Sequence, residues 1–268
     1  MVAPAAMAVA VVERWSSGGA LRLVPDAFHR LSRRTIDPLM RRALAGVVRR
    51  LFLKDLIEST DNFRHTTWLG QPIWQNVLDL WVIQETVAEV RPELLIECGT
   101  NRGGSALFYA QLFDLMGKGR VITVDVRKMH ELSHPRVTFL IGSSVAPELV
   151  EQVRSASAAA TGPVMVILDS DHSREHVASE LEAYASMVTS GSFLLVQDGV
   201  IDVLPRFRRW RPGPLPAIRD FLESHPEFEV DRGRTSRFLV THHPMGWLRR
   251  KVERSVQRRE RPGEVQAG

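Results

Sequence analysis

The apolar positions of the chain change rhythm several times, and each change marks an element. Short runs at 94–98, 121–125, 137–141, 164–168 and 193–197 are almost continuously apolar, as strands covered on both faces are. Stretches with helical spacing lie between them, near 104–116, 146–155 and 174–188. Strand alternating with helix predicts an α/β fold, a parallel sheet with helices on both faces. Before the alternation, one or two helices are expected within 38–60, and residues 1–35 read as poorly ordered. Thr66 to Gln75 is Trp-rich and irregular, broken by Gly70 and Pro72. A helix follows over 76–90, with Val77, Leu80, Trp81, Gln84 and Val87 recurring on one face and Arg91-Pro92 ending it. Beyond the last strand, Gly213-Pro214 precedes a helix at 215–224. Runs at 226–231 and 236–241 flank Arg232-Gly233-Arg234 and predict a closing hairpin. From Trp247 onward the charge density predicts a tail outside the core. The expected organisation is an extension over 1–60, one domain over 61–245 and a basic tail over 246–268.

Two constellations carry candidate chemistry. The first is LLIECGTNRGGS, residues 94–105. An apolar run containing Glu97 is followed by Gly99, Gly103 and Gly104, and a helix begins near Ser105. The next strand ends in Asp125. Glycines at a strand–helix turn let a ligand approach the backbone, the helix start offers free N–H groups, and an acid after the second strand suits a ribose diol. The spacing is G-x-x-x-G-G rather than the G-x-G-x-x-G of dinucleotide binders. It favours a ligand without a pyrophosphate, such as S-adenosylmethionine (SAM). A nicotinamide-dependent oxidoreductase and a catalytically silent SAM-binding partner are the rival classes.

The second constellation is LDSDHS, residues 168–173, with Gln197-Asp198 after the following strand. Residues just past neighbouring strand ends share one crevice, so Asp169 and Asp198 should face each other beside the ligand. Two carboxylates and an amide oxygen suit Mg²⁺ or Mn²⁺. Capping of the next helix by Asp171 or Ser173 is the competing reading. His172 is the candidate general base, because a neutral imidazole is available near pH 7. His65, His242 and His243 have no comparable context.

Composition narrows the partners. The chain has 268 residues, 44% hydrophobic and 25% charged, enough for one sizeable core. The formal charge is +4, with Arg and Lys clustered at 30–50, 206–211 and 249–261. No aromatic-studded basic stripe or zinc spacing accompanies them, so nucleic acid is not the expected partner. Residues 36–53 have the basic amphipathic pattern of a helix that touches a membrane surface, although a helix packed on the domain explains the same pattern. Trp68, Trp74 and Trp81 are either a sugar-stacking surface or, for Trp81 and Trp74, core and helix-start packing. Asp202 to Gly213, carrying Arg206, Arg208, Arg209 and Arg211, reads as a lid that meets an anionic substrate or lipid headgroup, or as a solvated loop. The single cysteine, Cys98, lies inside a strand and reads as a small core hydrophobe. A reduced cytoplasmic setting, with peripheral membrane contact through the basic termini, is the expectation. No apolar run approaches a membrane span, and the first residues lack the basic start of a signal peptide. Self-association is compatible with the sequence.

With both constellations in view, the chain resembles the SAM-dependent rhamnosyl O-methyltransferase and cephalosporin hydroxylase-like family. The shared stretches are WLGQPIWQNVLDLWVIQE (68–85), LLIECGTNRGGSALFYA (94–110), VITVDV (121–126), VILDSDHSREHV (166–177), LLVQDGVI (194–201) and RPGPLPAI (211–218). The resemblance implies a Rossmann-like class I methyltransferase sheet with a C-terminal antiparallel hairpin. It implies SAM contacts from Glu97, Gly99, Asn101, Gly103, Ser105, Asp125, Ser143 and Ser144. It implies Mg²⁺ at Asp169, Gln197 and Asp198, with His172 as base. A 29-residue spacing between first and last ligand favours Asp169 over Asp171. Gln197 stands where the family commonly has Glu, which removes one formal charge from the metal site. The implied acceptor is a small molecule or glycolipid, methylated on a sugar hydroxyl.

Overall fold

The computed structural model describes residues 38–58 and 65–252. The chain divides into two compact units at Val48/Arg49. Helix α1, Pro38–Glu58, is the one described element that reaches into the first unit.

The second unit opens with a small antiparallel pair, β1 (Thr67–Trp68) and β2 (Gln71–Pro72), within the segment expected to be irregular. Helix α2, Val77–Val90, follows, capped by the Asn76 side chain on the Leu78 N–H. Then come β3 (Leu94–Cys98), α3 (Gly104–Met116), β4 (Arg120–Asp125), β5 (Val137–Ile141), α4 (Pro147–Ala158), β6 (Val164–Leu168), α5 (Arg174–Tyr184) and β7 (Phe193–Val196). Two 3₁₀ turns, Gly199–Asp202 and Pro205–Trp210, lead into α6 (Pro214–Ser224). The chain closes with β8 (Phe228–Val230), the short helix α7 (Arg232–Thr235) and β9 (Trp247–Arg250).

The strands form one sheet in the order β5-β4-β3-β6-β7-β9-β8. The first five are parallel, and β9 pairs antiparallel with both β7 and β8. Every residue of β3, β6 and β7 is buried, as the continuous apolar runs require. Alternate side chains divide the core. Leu94, Ile96, Val166 and Leu168 face α4, α5 and α6. Leu95, Met165, Ile167 and Leu195 face α2 and α3. This is the Rossmann-like methyltransferase architecture that the resemblance implied.

Three expectations are corrected. Residues 236–241 form no strand; β8 finds its partner in β9, beyond the expected end of the core. Trp247 and Leu248 are fully buried, while Arg249 and Arg250 lie toward solvent. The four-residue strand carries two cations because only its first two side chains enter the core, and the surrounding charge hid that apolar pair. Arg232-Gly233-Arg234 is a helical turn rather than a hairpin turn, because the Asp231 carboxylate caps the Arg234 N–H at 2.9 Å. The buried face of α2 also differs from expectation. Leu80, Val82, Ile83, Thr86 and Val87 point inward, whereas Val77 and Trp81 are exposed.

Register positions the site. Cys98 pairs with Leu168, and Leu168 with Val196. The residues that follow, Gly99, Asp169 and Gln197-Asp198, therefore emerge side by side along the carboxyl edge. The chain leaves β3 for β4 and β5 on one side of the sheet, and β6 leads to β7 on the other. The crevice opens at that reversal.

Candidate active site

The glycine turn is built by close approach. Gly99 has φ +105°, and a side chain there would collide with the Asp169 carbonyl. The Gly99 N–H donates to Val124 O at 2.8 Å, and the Asp169 N–H donates to Cys98 O at 2.8 Å, so the three strand ends are tied together. The Asn101 N–H donates to Asp125 Oδ2 at 2.7 Å and fixes that carboxylate at the rim. A cleft of about 750 Å³ opens above, walled by Gly99, Asn101, Asp125 and Ser144 from the expected cofactor contacts and by Gly142 beside them.

The other candidates of that constellation lie around the cleft rather than in its wall. Glu97 is fully buried beneath the turn, where it accepts the Thr123 hydroxyl at 2.6 Å; burial pushes its carboxyl up to about 7. Gly103 starts α3 and leaves room for Leu132 and His130. Ser105 lines a narrow recess with Gly99, Asn101 and Asp169. Ser143 Oγ accepts from the Val145 N–H. Ser144 is held from behind: its hydroxyl donates to the wholly buried Glu180 at 2.5 Å and lies 3.1 Å from His176 Nε2.

The second constellation converges. One donor atom each from Asp169, His172 and Asp198 lie within 4.8 Å of one another. His172 Nε2 is 3.2 Å from Asp198 Oδ2 and 3.9 Å from Asp169 Oδ1. The two acids differ in electrostatic setting. Burial and the facing Asp198 charge raise Asp169 well above the ordinary carboxylate range. Burial also acts against ionisation of Asp198, but His172, His242 and His243 together more than offset it and lower its pKa. Asp198 sits in a left-handed backbone conformation, φ 55°, with its N–H donating to His243 Nδ1 at 3.1 Å. Gln197 is buried, and its Oε1 accepts the Gln75 amide at 2.8 Å; Gln75 Nε2 also donates to Asp169 Oδ2 at 2.7 Å. Asp171 accepts the Ser173 N–H at 2.7 Å in a turn just before α5, and the helix start has no side-chain cap, so the capping reading of Asp171 and Ser173 is corrected.

A second pocket, about 460 Å³, adjoins the first and is lined mainly by apolar groups, with Trp74, Val200, Ile201, Phe207 and Trp210 among them. The two cavities share Trp74, Asp171, His172 and Asp198. The acid–histidine cluster thus stands where a cofactor in the larger cleft and an acceptor in the smaller one would meet.

Sequence comparison agrees with this architecture. The family model for rhamnosyl O-methyltransferase/CmcI matches residues 61–251. The chain belongs to that family. It is accordingly an O-methyltransferase family enzyme. The rhamnosyl O-methyltransferase of Mycobacterium tuberculosis (strain ATCC 25618 / H37Rv) is 35% identical over 191 residues, covering 68% of this chain and 77% of the relative. That of Mycobacterium leprae (strain TN) is 34% identical over 191 residues, covering 69% and 83%. A solved CmcI structure with Mg and SAM superposes with a TM-score of 0.57 at 18% identity, covering 70% of this chain and 78% of that one. An apo CmcI structure gives 0.56 at 19% identity, covering 71% and 78%.

Four residues of the site in this rhamnosyl O-methyltransferase/CmcI family member escaped sequence reasoning. Gln75 ties Asp169 to Gln197 from a segment almost a hundred positions earlier. His242 Nδ1 lies 3.8 Å from Asp198 Oδ1, and His243 accepts the Asp198 N–H, so the expectation that this histidine pair lacks context is corrected. Asp79 on α2 places the pair: it accepts the Thr241 hydroxyl and the His242 N–H at 2.5 and 2.8 Å. Of the three tryptophans, Trp74 faces both cavities, Trp68 packs edge-on against Phe108, and Trp81 is 58% exposed away from either cavity. The core and packing reading of Trp81 and Trp74 is therefore corrected. Among the described residues no helix is long and apolar enough to cross a membrane.

Proposed function

We propose that the protein transfers the methyl group of S-adenosylmethionine to a sugar hydroxyl held in the smaller pocket, with Asp169, Gln197 and Asp198 as the Mg²⁺ site and His172 as general base. The observation that carries the reading is the meeting of the two cavities at His172 and Asp198. The names of the mycobacterial relatives supply the sugar, and those of the CmcI structures supply SAM and Mg²⁺.

The donor set fits a hard divalent ion. Two carboxylates converge within reach of one imidazole, and the Asp198 charge disfavours ionisation of Asp169 until a cation compensates it. Gln75 holds Asp169 and Gln197 in place through its amide hydrogens. When bound, SAM supplies an electrophilic methyl group and Mg²⁺ supplies positive charge that lowers the pKa of a nearby hydroxyl.

The chain's own residues do the remaining work. Gly99 and Asn101 offer close backbone approach in the cleft, and Asp125 presents a fixed carboxylate to a diol. Trp74 gives a sugar ring a flat apolar face, 53% exposed and bordering both cavities. His172 Nε2 takes the hydroxyl proton, and Asp198 at 3.2 Å stabilises the resulting imidazolium. The apolar wall of Val200, Ile201 and Phe207 keeps water from competing for the methyl group.

Titration with SAM, followed by turnover on aryl rhamnosides with and without Mg²⁺, tests the reading. His172→Ala should keep SAM affinity within about threefold and lose roughly 10²–10⁴-fold in kcat. Wild-type turnover in that variant would remove His172 from the role of base, and absence of SAM binding to the wild type would overturn the whole proposal.

A further inference from the structure

A fully buried carboxylate outside the acid–histidine cluster gathers three groups from the wall of the larger cleft. Glu180, on α5, is 0% exposed. Its Oε1 accepts the hydroxyls of Ser144 at 2.5 Å and Ser170 at 2.6 Å, and lies 3.3 Å from His176 Nε2. Ser144, Ser170 and His176 all line the cleft, and Glu180 stands behind them. The Tyr184 hydroxyl, one helical turn after Glu180, donates to the Ser144 carbonyl at 2.7 Å and fixes the backbone there. Burying a carboxylate is costly unless it is hydrogen-bonded, and these bonds run to residues that face a ligand cavity.

The direction of those bonds decides what the wall can offer. A hydroxyl has one hydrogen to donate and two lone pairs that accept. Ser144 and Ser170 each spend their hydrogen on Glu180, so toward the cleft they present acceptors alone. His176 Nε2 is turned to the same carboxylate and lies 3.1 Å from Ser144 Oγ, so that nitrogen does not face the cleft as a substitute donor. Sheet order says which part of a ligand meets Ser144. Asp125 pairs with Ile141, so Gly142, Ser143 and Ser144 emerge beside Asp125, on the side away from Asp169 and Asp198. A nucleoside whose ribose diol meets Asp125 and whose sulfonium is directed at His172 therefore carries its base toward the end of β5.

We infer that Ser144 Oγ accepts a hydrogen bond from the 6-amino group of the cofactor's adenine, and that Glu180 is the positioning residue that makes Ser144 an acceptor, so that the cleft selects a 6-amino purine against a 6-oxo purine. This rests on the reading of the larger cleft as the SAM site. A 6-oxo purine sets its carbonyl oxygen against the lone pairs of Ser144. Turning the hydroxyl round to meet that oxygen takes a hydrogen bond away from a carboxylate with no access to water. Either way the wrong base leaves a polar group unpaired, and specificity arises from that penalty as much as from the bond to the right base. Glu180 acts without touching the ligand: it fixes where one hydrogen points.

A matched pair of ligands isolates the amino group. S-adenosylhomocysteine and S-inosylhomocysteine share ribose and amino-acid tail and differ at the purine 6-position, amino against oxo. Each is titrated calorimetrically into the full-length protein. The adenosyl compound is expected to bind roughly 10–100-fold tighter, the effect of one unpaired polar contact. Ser144→Ala should bring the two affinities together by weakening the adenosyl compound. Glu180→Gln should also bring them together, but by a different route: the glutamine amide can donate to Ser144 Oγ and free the serine hydrogen for the cleft, so the inosyl compound binds more tightly than it does to the wild type. A merely structural role for Glu180 would weaken both ligands alike and leave their ratio in place. Ser144→Ala, which leaves Glu180 its contacts with Ser170 and His176, decides the matter if the glutamine variant does not fold. Equal affinities in the wild type, a preference that survives Ser144→Ala, or an unchanged ratio in folded Glu180→Gln overturns the inference and leaves the cofactor reading standing. Failure of S-adenosylhomocysteine to bind the wild type overturns both.

Discussion

Replacing Glu97 with Gln should change how stability depends on pH, by an amount set by the burial of this one carboxyl. Glu97 is fully buried on β3, touches the Thr123 hydroxyl, and titrates at about 7 in the folded protein against 4.5 as the reference value. The cause is desolvation of the charged form, only partly offset by hydrogen bonds from Ser105 and Thr123. The folded state therefore holds this proton more tightly than the unfolded chain does. The stabilising contribution is present below the unfolded pKa of 4.5 and is lost as pH rises through 7. Between pH 5 and pH 8 the linkage relation gives a loss of about 2.5 kcal/mol. Glutamine has the same shape and does not titrate, so Glu97→Gln should be spared that loss. Urea unfolding of wild type and variant, without ligand, at pH 5 and pH 8 measures it. Any constant cost of the amide cancels when the two pH values are compared. The stability difference should shift by about 2.5 kcal/mol in favour of the variant on going to pH 8. If the two proteins instead lose stability in parallel, Glu97 is not a buried proton reservoir and the desolvation argument fails.

Two further changes probe the supports of the site and of the sheet. Gln75→Leu removes the amide that holds Asp169 and Gln197 together; Mn²⁺ affinity, read by calorimetry, should fall roughly 10–100-fold, and unchanged affinity would show that Gln75 does not order the donor set. Trp247→Ala should cost about 3–5 kcal/mol in urea unfolding, because this fully buried side chain joins the packing around Phe193 and Leu195; a loss below about 1 kcal/mol would mean that β9 is dispensable to the core.

What could be read from the sequence, and what could not, divides by distance along the chain. Strands β3, β4, β6 and β7 announced themselves because both faces of each are covered, so no side chain had to be polar. Asp169, His172 and Asp198 were found because each lies within four residues of the end of such a strand, and a parallel sheet places those positions together. Strand β9 was hidden because it is short and half its side chains are arginines; its identity depends on β7 and β8, between which it pairs. The inward face of α2 was misread for a related reason. Val77 and Trp81 satisfy helical spacing as well as Leu80 and Ile83 do, and only the position of the sheet chooses between the stripes.

The same division explains the histidines around Asp198. No local pattern marks His242 or His243, since the residue that positions them, Asp79, is over 160 places away on α2. Yet their effect on the chemistry is direct. Asp169 and Asp198 begin as equivalent carboxylates at adjacent strand ends, and burial alone would raise both. The imidazoles gathered around Asp198 lower it, while Asp169 faces Asp198 and is raised. The charged form of one acid is thereby favoured beside His172, while ionisation of the other is disfavoured. An asymmetry of this kind cannot come from the two strand-end motifs. It comes from the connection between β8 and β9, which carries His242 and His243 back across the sheet edge before Trp247 enters the core.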